Sequence, residues 1–224
     1  IVSWVPANDH ERLFLSQASR FRAGEPIRGG IPVVFPQFGM LGPLSLHGFA
    51  RLMPWEFVGV ELAGERMSAK FRLQDTAESL SIWPHPFLTE LTLMIGNNQL
   101  ADTLYVSNTG TEPFTFTAAL HTYFKVSDVQ STFVEGLGNL HYRDSLDGGI
   151  EKLEQSAQVS FTGEVNRIYL DAPSAVRLVE SNISTVVRQA GFRDIVIWNP
   201  GAGKCASVPD LEKNDYQHFV CIEA

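Results

Sequence analysis

Apolar and polar residues alternate with a period of two along much of this chain. At Arg66–Leu73, Met67, Ala69, Phe71 and Leu73 alternate with Arg66, Ser68, Lys70 and Arg72. That pattern predicts a half-buried strand with one wet face. Gly64-Glu65 turns into it from a strand at Phe57–Leu62. Leu91–Ile95 and Leu100–Ser107 flank Gly96-Asn97-Asn98, a hairpin signal. Asn108-Thr109-Gly110 then turns the chain into a strand predicted over Phe114–Val126. Val176–Glu180 is expected to pair with Ile183–Gln189 across a turn at Ser181-Asn182, and Ile195–Trp198 and Phe219–Glu223 supply the last strands. Ile1–Pro6 reads as a short extended segment, with Asn8-Asp9 turning it into Arg12–Ser16. Val129–Asp147 reads as a strand plus a long loop. Asp75–Leu80 is the best candidate for a helical turn, ended by Trp83-Pro84-His85-Pro86, because a proline disfavours helical geometry in the residue before it.

Short strands at regular spacing with almost no helical periodicity predict an all-β fold, an antiparallel β-sandwich. A length of 224 residues is most simply a single domain, 1–224, since sandwiches commonly reach this size undivided. A hydrophobic fraction of 44% supports a sizeable core. No apolar run approaches the ~20 residues needed to cross a bilayer, so no membrane association is expected. The net charge of −8 argues against broad nucleic-acid binding, which needs a basic footprint. Cys205 and Cys221 have no metal-type spacing and no secretory context, so reduced, packed thiols and a cytoplasmic location are expected.

The chain is organised around Arg28–Gly39, RGGIPVVFPQFG. Its glycine pair permits unusual backbone angles and a close approach to the main chain. Pro32 and Pro36 fix φ and withdraw two donors, which makes the segment rigid and poor as a central strand. Four further stretches fit the same site: LHGFAR at Leu46–Arg51, ALHTYF at Ala119–Phe124, VNRIYL at Val165–Leu170, and WNPG at Trp198–Gly201 followed by the closing DYQHFVCIE. Taken in order, these motifs resemble the glucose-6-phosphate 1-epimerase branch of the aldose 1-epimerase family, and the resemblance runs from VSWVP near the start to CIE at the end. It implies a large twisted supersandwich of the galactose-mutarotase type, which periodicity alone does not specify. It also implies that the chain is trimmed at both ends.

His121 is the first candidate for chemistry. A period of two puts it with Tyr123 on the more polar face of its strand, where the bland alternative is a histidine bonded to a neighbouring hydroxyl. Glu223 follows four apolar residues, Phe219–Ile222, so burial would raise its pKa and make it a usable base near neutrality. Its alternative is a frayed, solvated terminus, because only Ala224 follows. Arg28 and Arg51 sit in glycine-containing, otherwise apolar motifs, and guanidinium donors match phosphate oxygens bidentately. By resemblance, His121 is the acid and Glu223 the base of sugar ring opening, Arg28 and Arg51 hold a 6-phosphate, and His47 and Asn166 contact sugar hydroxyls. Relatives usually carry Asp where Asn166 stands, and some carry Gln at Leu46. Asn166 can still donate and accept hydrogen bonds but brings no charge.

The implied reaction is interconversion of the α and β anomers of a hexose 6-phosphate, with a small-molecule sugar phosphate as the partner and neither cofactor nor metal. The histidines show no H-E-x-x-H or comparable ligand spacing. Gly201-Ala202-Gly203-Lys204 lacks the rest of a phosphate loop and reads as a turn, and no G-x-S-x-G elbow is present. Two alternatives remain open: an epimerase for unphosphorylated aldoses, and a non-catalytic carbohydrate-binding sandwich using Phe35, Phe38, Tyr123 or Trp198 to stack on sugars. Trp83-Pro84-His85-Pro86-Phe87 is assigned to packing and turn formation.

Overall fold

The alternating stretch around Arg66 becomes one strand of a four-stranded antiparallel meander. Its members are β2 (Glu56–Ala63), β3 (Arg66–Gln74), β4 (Phe87–Gly96) and β5 (Gln99–Asn108), preceded in the chain by the short β1 (Val33–Val34). The predicted hairpin closes at Asn97-Asn98, both at positive φ (52° and 55°), the backbone that two-residue hairpin turns require. Between β3 and β4 lies α1 (Ala77–Ile82). Thr76 Oγ1 accepts from the Ser79 N–H, Ser79 Oγ accepts from the Thr76 N–H, and the helix stops at Trp83 before the prolines. Trp83 packs edge-on against Phe35 and Phe114, with ring centroids 5.6 and 4.8 Å apart, so that motif serves packing.

The structure, a computed structural model, describes residues 1–7, 9–181 and 183–224. Asn8 and Asn182, in the two turns expected at Asn8-Asp9 and Ser181-Asn182, lie outside the described residues. Ten more strands follow: β6 (Ala119–Lys125), β7 (Phe133–Glu135), β8 (His141–Asp144), β9 (Ile150–Leu153), β10 (Gln158–Ser160), β11 (Val165–Tyr169), β12 (Ala175–Val179), β13 (Ser184–Arg188), β14 (Ile195–Asn199) and β15 (Phe219–Glu223). They form a seven-stranded sheet, β1-β6-β15-β14-β11-β8-β9, and a second four-stranded sheet, β10-β7-β12-β13. All named strand pairs are antiparallel. This is the all-β sandwich expected. Among the described residues, no helix is long and apolar enough to cross a membrane.

Each face of the seven-stranded sheet has its own burial. One face sends Phe124, Val220, Ile222, Ile195, Ile197 and Tyr169 into a core closed by the second sheet through Val134, Val176 and Leu178. The opposite face carries, row by row across β6, β15, β14 and β11, Tyr123–Cys221–Trp198–Asn166 and His121–Glu223–Val196–Ile168. Period two puts these rows on one side. A second core, around Phe35, Leu73, Phe87, Leu91 and Leu120, joins the meander to the Arg28–Gly39 stretch.

Four sequence expectations change. The strand predicted over Phe114–Val126 begins only at Ala119, because Phe114 and Phe116 turn into the aromatic cluster around Phe35 and the Thr117 N–H donates to the Pro36 carbonyl. The polar face of that strand is dry, since both His121 and Tyr123 are buried. Gly201–Cys205 forms a short helix, α2, started by Asn199, whose Oδ1 accepts from the Gly201 N–H. Strands β9, β10 and β11 were not expected, being three to five residues long with too little alternation to register. Arg28–Gly39 contributes only the edge pair Val33–Val34 to a sheet, as its prolines dictate. Both cysteines are free and buried.

Candidate active site

His121 and Glu223 meet because β6 and β15 are hydrogen-bonded neighbours and the register sets these two residues directly opposite. His121 Nε2 lies 3.2 Å from Glu223 Oε1, with the two side chains 8% and 2% exposed. The terminal strand is not frayed. All of Phe219–Glu223 is buried between β6 and β14, and the Leu120 N–H donates to the Ala224 carbonyl at 2.8 Å. Burial drives the Glu223 carboxyl well above the ordinary carboxylate value, with Arg51 opposing. Burial, then the charges of His47, Arg51 and Arg28, drive the His121 imidazole well below its ordinary value. Both shifts favour the neutral form of each partner. With one proton on the pair, a neutral imidazole beside a neutral carboxyl and an imidazolium beside a carboxylate carry the same total charge.

Around this pair the loops bring the remaining candidates. Tyr123 stacks on His121, with centroids 4.8 Å apart and planes 12° from parallel, and its Oη accepts from Arg28 Nη1 at 3.0 Å. Arg28 Nε donates to Asp210 Oδ1 at 3.1 Å. Burial opposes the Arg28 charge, but Tyr123 and Asp210 more than offset it, so its pKa is raised. Arg51 Nη2 donates to the Leu46 carbonyl at 2.9 Å, while its Nε is buried without a partner among the described residues. Among the described residues no carboxylate oxygen lies within 4.0 Å of Arg51. Trp198 stands edge-on to both His121 and Tyr123, at 5.9 and 6.0 Å.

His47 closes the other side, its ring 5.3 Å from Phe38 and 5.5 Å from His121. Its Nδ1 accepts from the Gly39 N–H at 3.2 Å, which requires that nitrogen to be unprotonated. Burial, then Arg51 and Arg28, lower its pKa from 6.5 to about 4. A depressed folded value means that His47 contributes stability above pH 6.5, and that this is lost as pH falls toward 4. His47→Gln is therefore expected to reduce the loss of unfolding free energy between pH 7 and pH 5 by up to ~2 kcal/mol. Denaturant titrations at both pH values measure it, and an unchanged pH dependence would contradict this assignment.

The turn that presents His47 and Arg51 depends on Gly48. Its φ is +66°, and a Cβ there would collide with the Phe35 carbonyl oxygen and approach Pro36 N to 2.8 Å. Gly48→Ala is expected to cost ~2–4 kcal/mol of stability, read as a lowered denaturation midpoint. An unchanged midpoint would show that the turn can relax.

Five sequence candidates, Arg28, His47, Arg51, His121 and Glu223, thus surround one site. Asn166 lies on the same face in the Tyr123–Cys221–Trp198 row, but β14 separates its strand from β15. Of the aromatics suggested for sugar stacking, Phe35 is 0% exposed and Tyr123 2%. Neither can present a ring face to a sugar. Asp210 was missed, and nothing in its spacing marks it: its partner Arg28 is 182 residues away. His121, Cys221 and Glu223 offer donor atoms within 4.8 Å of one another. They could hold a metal only through a thiolate, and burial pushes the Cys221 thiol well above its ordinary value. A cavity of about 350 Å³ lined by Phe161, Gly201 and Lys204 and an apolar one of about 340 Å³ between Ile31, Trp55 and Leu91 both exclude His121 and Glu223 from their walls.

The family model described as "Aldose 1-epimerase" matches residues 1–224. A protein from Cenchrus ciliaris is 37% identical over 234 residues, covering 100% of this chain and 71% of the relative. One from Escherichia coli K12 is 30% identical over 228 residues, covering 100% and 75%. Both carry the name "Putative glucose-6-phosphate 1-epimerase". The crystal structure of YeaD from Salmonella typhimurium, described as a "putative mutarotase", superposes with a TM-score of 0.92 at 29% identity, covering 100% of this chain and 75% of that one. A galactose mutarotase-like protein from Lactobacillus casei shares the fold, with a TM-score of 0.69 at 18% identity over 97% of this chain and 78% of that one. With a supersandwich of that type, a buried histidine–glutamate pair at its centre and a match along its whole length, this chain belongs to the aldose 1-epimerase family.

Proposed function

We propose that this protein interconverts the α and β anomers of a hexose 6-phosphate, with glucose 6-phosphate as the preferred substrate, as a single domain over residues 1–224 working in the cytoplasm. The observation that carries the reading is the buried His121–Glu223 contact, 3.2 Å long, beside two arginines of which, among the described residues, only Arg28 has a carboxylate partner. In the working form of the pair, Glu223 takes the proton of the C1 hydroxyl while the His121 imidazolium protonates the ring oxygen. The C1–O5 bond breaks, the C1–O1 bond becomes the aldehyde carbonyl, and rotation about C1–C2 presents its other face. Reclosure returns both protons, so neither metal nor cofactor is consumed. Each positioned proton transfer contributes ~10²–10⁴-fold. Arg28 and Arg51 hold the 6-phosphate and keep the ring in place while C1 turns, and His47 and Asn166 contact ring hydroxyls.

The test is NMR saturation transfer between the anomeric protons of glucose 6-phosphate, with glucose and galactose run beside it. Acceleration above the buffer rate for the phosphorylated sugar, well beyond that for either free sugar, is expected. Equal acceleration of all three would keep the acid–base pair and remove the phosphate grip. The lack of a carboxylate partner for Arg51 among the described residues favours the phosphorylated substrate over a free aldose, and the burial of Phe35 and Tyr123 disfavours a purely stacking, non-catalytic module.

A further inference from the structure

The loop from Pro36 to Gly48 carries His47 into the site, and a side chain outside the proposed reaction sets its shape from within. Gln37 is buried, 4% exposed. Its Nε2 donates to the Gly39 and Leu44 carbonyls at 3.1 and 2.9 Å, and its Oε1 accepts from the Leu44 N–H at 2.9 Å. Two carbonyls and one N–H around one carboxamide fix which end carries the nitrogen. Gly39 passes this order on to His47. Its carbonyl accepts from the His47 N–H at 3.0 Å, and its own N–H donates to His47 Nδ1 at 3.2 Å. His47 itself holds a left-handed backbone, φ +66°, which a non-glycine residue keeps only where its surroundings enforce it.

A ring nitrogen that accepts an N–H carries no proton, so the neutral His47 ring has its proton on Nε2. Nε2 lies across the ring from Gly39, makes no hydrogen bond among the described residues and keeps contact with solvent. It can donate to a lone pair of a hydroxyl oxygen but cannot take the proton of one. In the opposite tautomer Nε2 would be a free base, on a ring 5.5 Å from that of His121, and could compete with Glu223 for the substrate proton. We infer that Gln37 is a positioning residue. By holding Gly39 against His47 it fixes the Nε2–H tautomer, so that His47 meets the sugar as a hydrogen-bond donor and stays out of the proton path. The part that concerns sugar and proton path rests on the anomerase reading above; the tautomer does not.

Two variants loosen the clamp by different routes. Gln37→Met keeps the length of the side chain and removes its three hydrogen bonds. Gly42→Ala leaves Gln37 in place but drives a Cβ into its Oε1, and Gly42 has no left-handed backbone to strain, so this variant decides the matter if Gln37→Met does not fold. Long-range proton–nitrogen correlation NMR on protein carrying isotope-labelled histidine shows which ring nitrogen is protonated, with His47→Gln assigning the signals. The wild-type ring is expected to carry its proton on Nε2, and the variants to mix the two tautomers. The kcat/KM for glucose 6-phosphate should fall about 3–10-fold, the worth of one neutral hydrogen bond, and Gly42→Ala should cause no such fall in a His47→Gln background. A wild-type proton on Nδ1, an unmixed Nε2–H tautomer in Gly42→Ala, or an equal fall without His47 would overturn the positioning role. A wild-type chain that leaves glucose 6-phosphate exchange at the buffer rate, with the tautomers as stated, would overturn the anomerase reading and leave the clamp standing.

Discussion

Glu223→Gln is expected to lower the enzyme-dependent exchange of glucose 6-phosphate anomers by ~10³-fold or more, while sugar phosphate still binds within a few-fold of wild type. Glutamine keeps the shape of a neutral carboxyl and can still bond His121 Nε2. The variant should therefore fold with little change in its denaturation midpoint. What it loses is the proton: an amide can neither pass one to His121 nor take one from a C1 hydroxyl. His121→Asn should produce a comparable loss, and the double variant little further loss, because the two residues share one mobile proton and act as a unit. Saturation transfer measures all three. A single variant retaining a tenth of the wild-type rate would remove that residue from the proton path.

Arg51→Gln is expected to raise the KM for glucose 6-phosphate by ~10–100-fold, the worth of hydrogen bonds from a charged donor. The exchange of free glucose should fall much less, since free glucose carries no phosphate for Arg51 to hold. Arg28 is less clean to test, because its substitution also releases Asp210 and Tyr123. The comparison that matters is the ratio of kcat/KM for the phosphorylated and free sugars. An equal fall for both would mean that Arg51 shapes the site without contacting phosphate.

Much of this was legible in the order of residues, for identifiable reasons. The meander is set by local alternation and turn chemistry and Phe219–Glu223 by a short apolar run, and both occur where the pattern places them. Phe114–Thr117 misled because alternation is shared by a ladder strand and by an extended segment whose rings enter an aromatic cluster. Strand β11 was visible only as a motif, since Val165–Tyr169 (VNRIY) lacks period-two alternation even though Gly163 and Pro173 punctuate it on either side. The fate of Glu223 was the hardest point. Its burial depends on β14 and β6 enclosing the strand on both sides, and no local pattern distinguishes that from fraying. The same limit hid Asp210 and the Tyr123–Arg28 bond, which span 182 and 95 residues. The shift of His121 was equally out of reach, because it is created by burial and by His47, Arg51 and Arg28, which come from two stretches distant in sequence.

The measurement that bears most directly on the central claim is a crystal structure of the His121→Asn variant with glucose 6-phosphate bound. The account predicts phosphate oxygens within hydrogen-bond distance of both Arg28 and Arg51, and the C1 hydroxyl within hydrogen-bond distance of the Glu223 carboxyl. A sugar turned so that C1 points away from Glu223, or a phosphate seated away from both arginines, would contradict it.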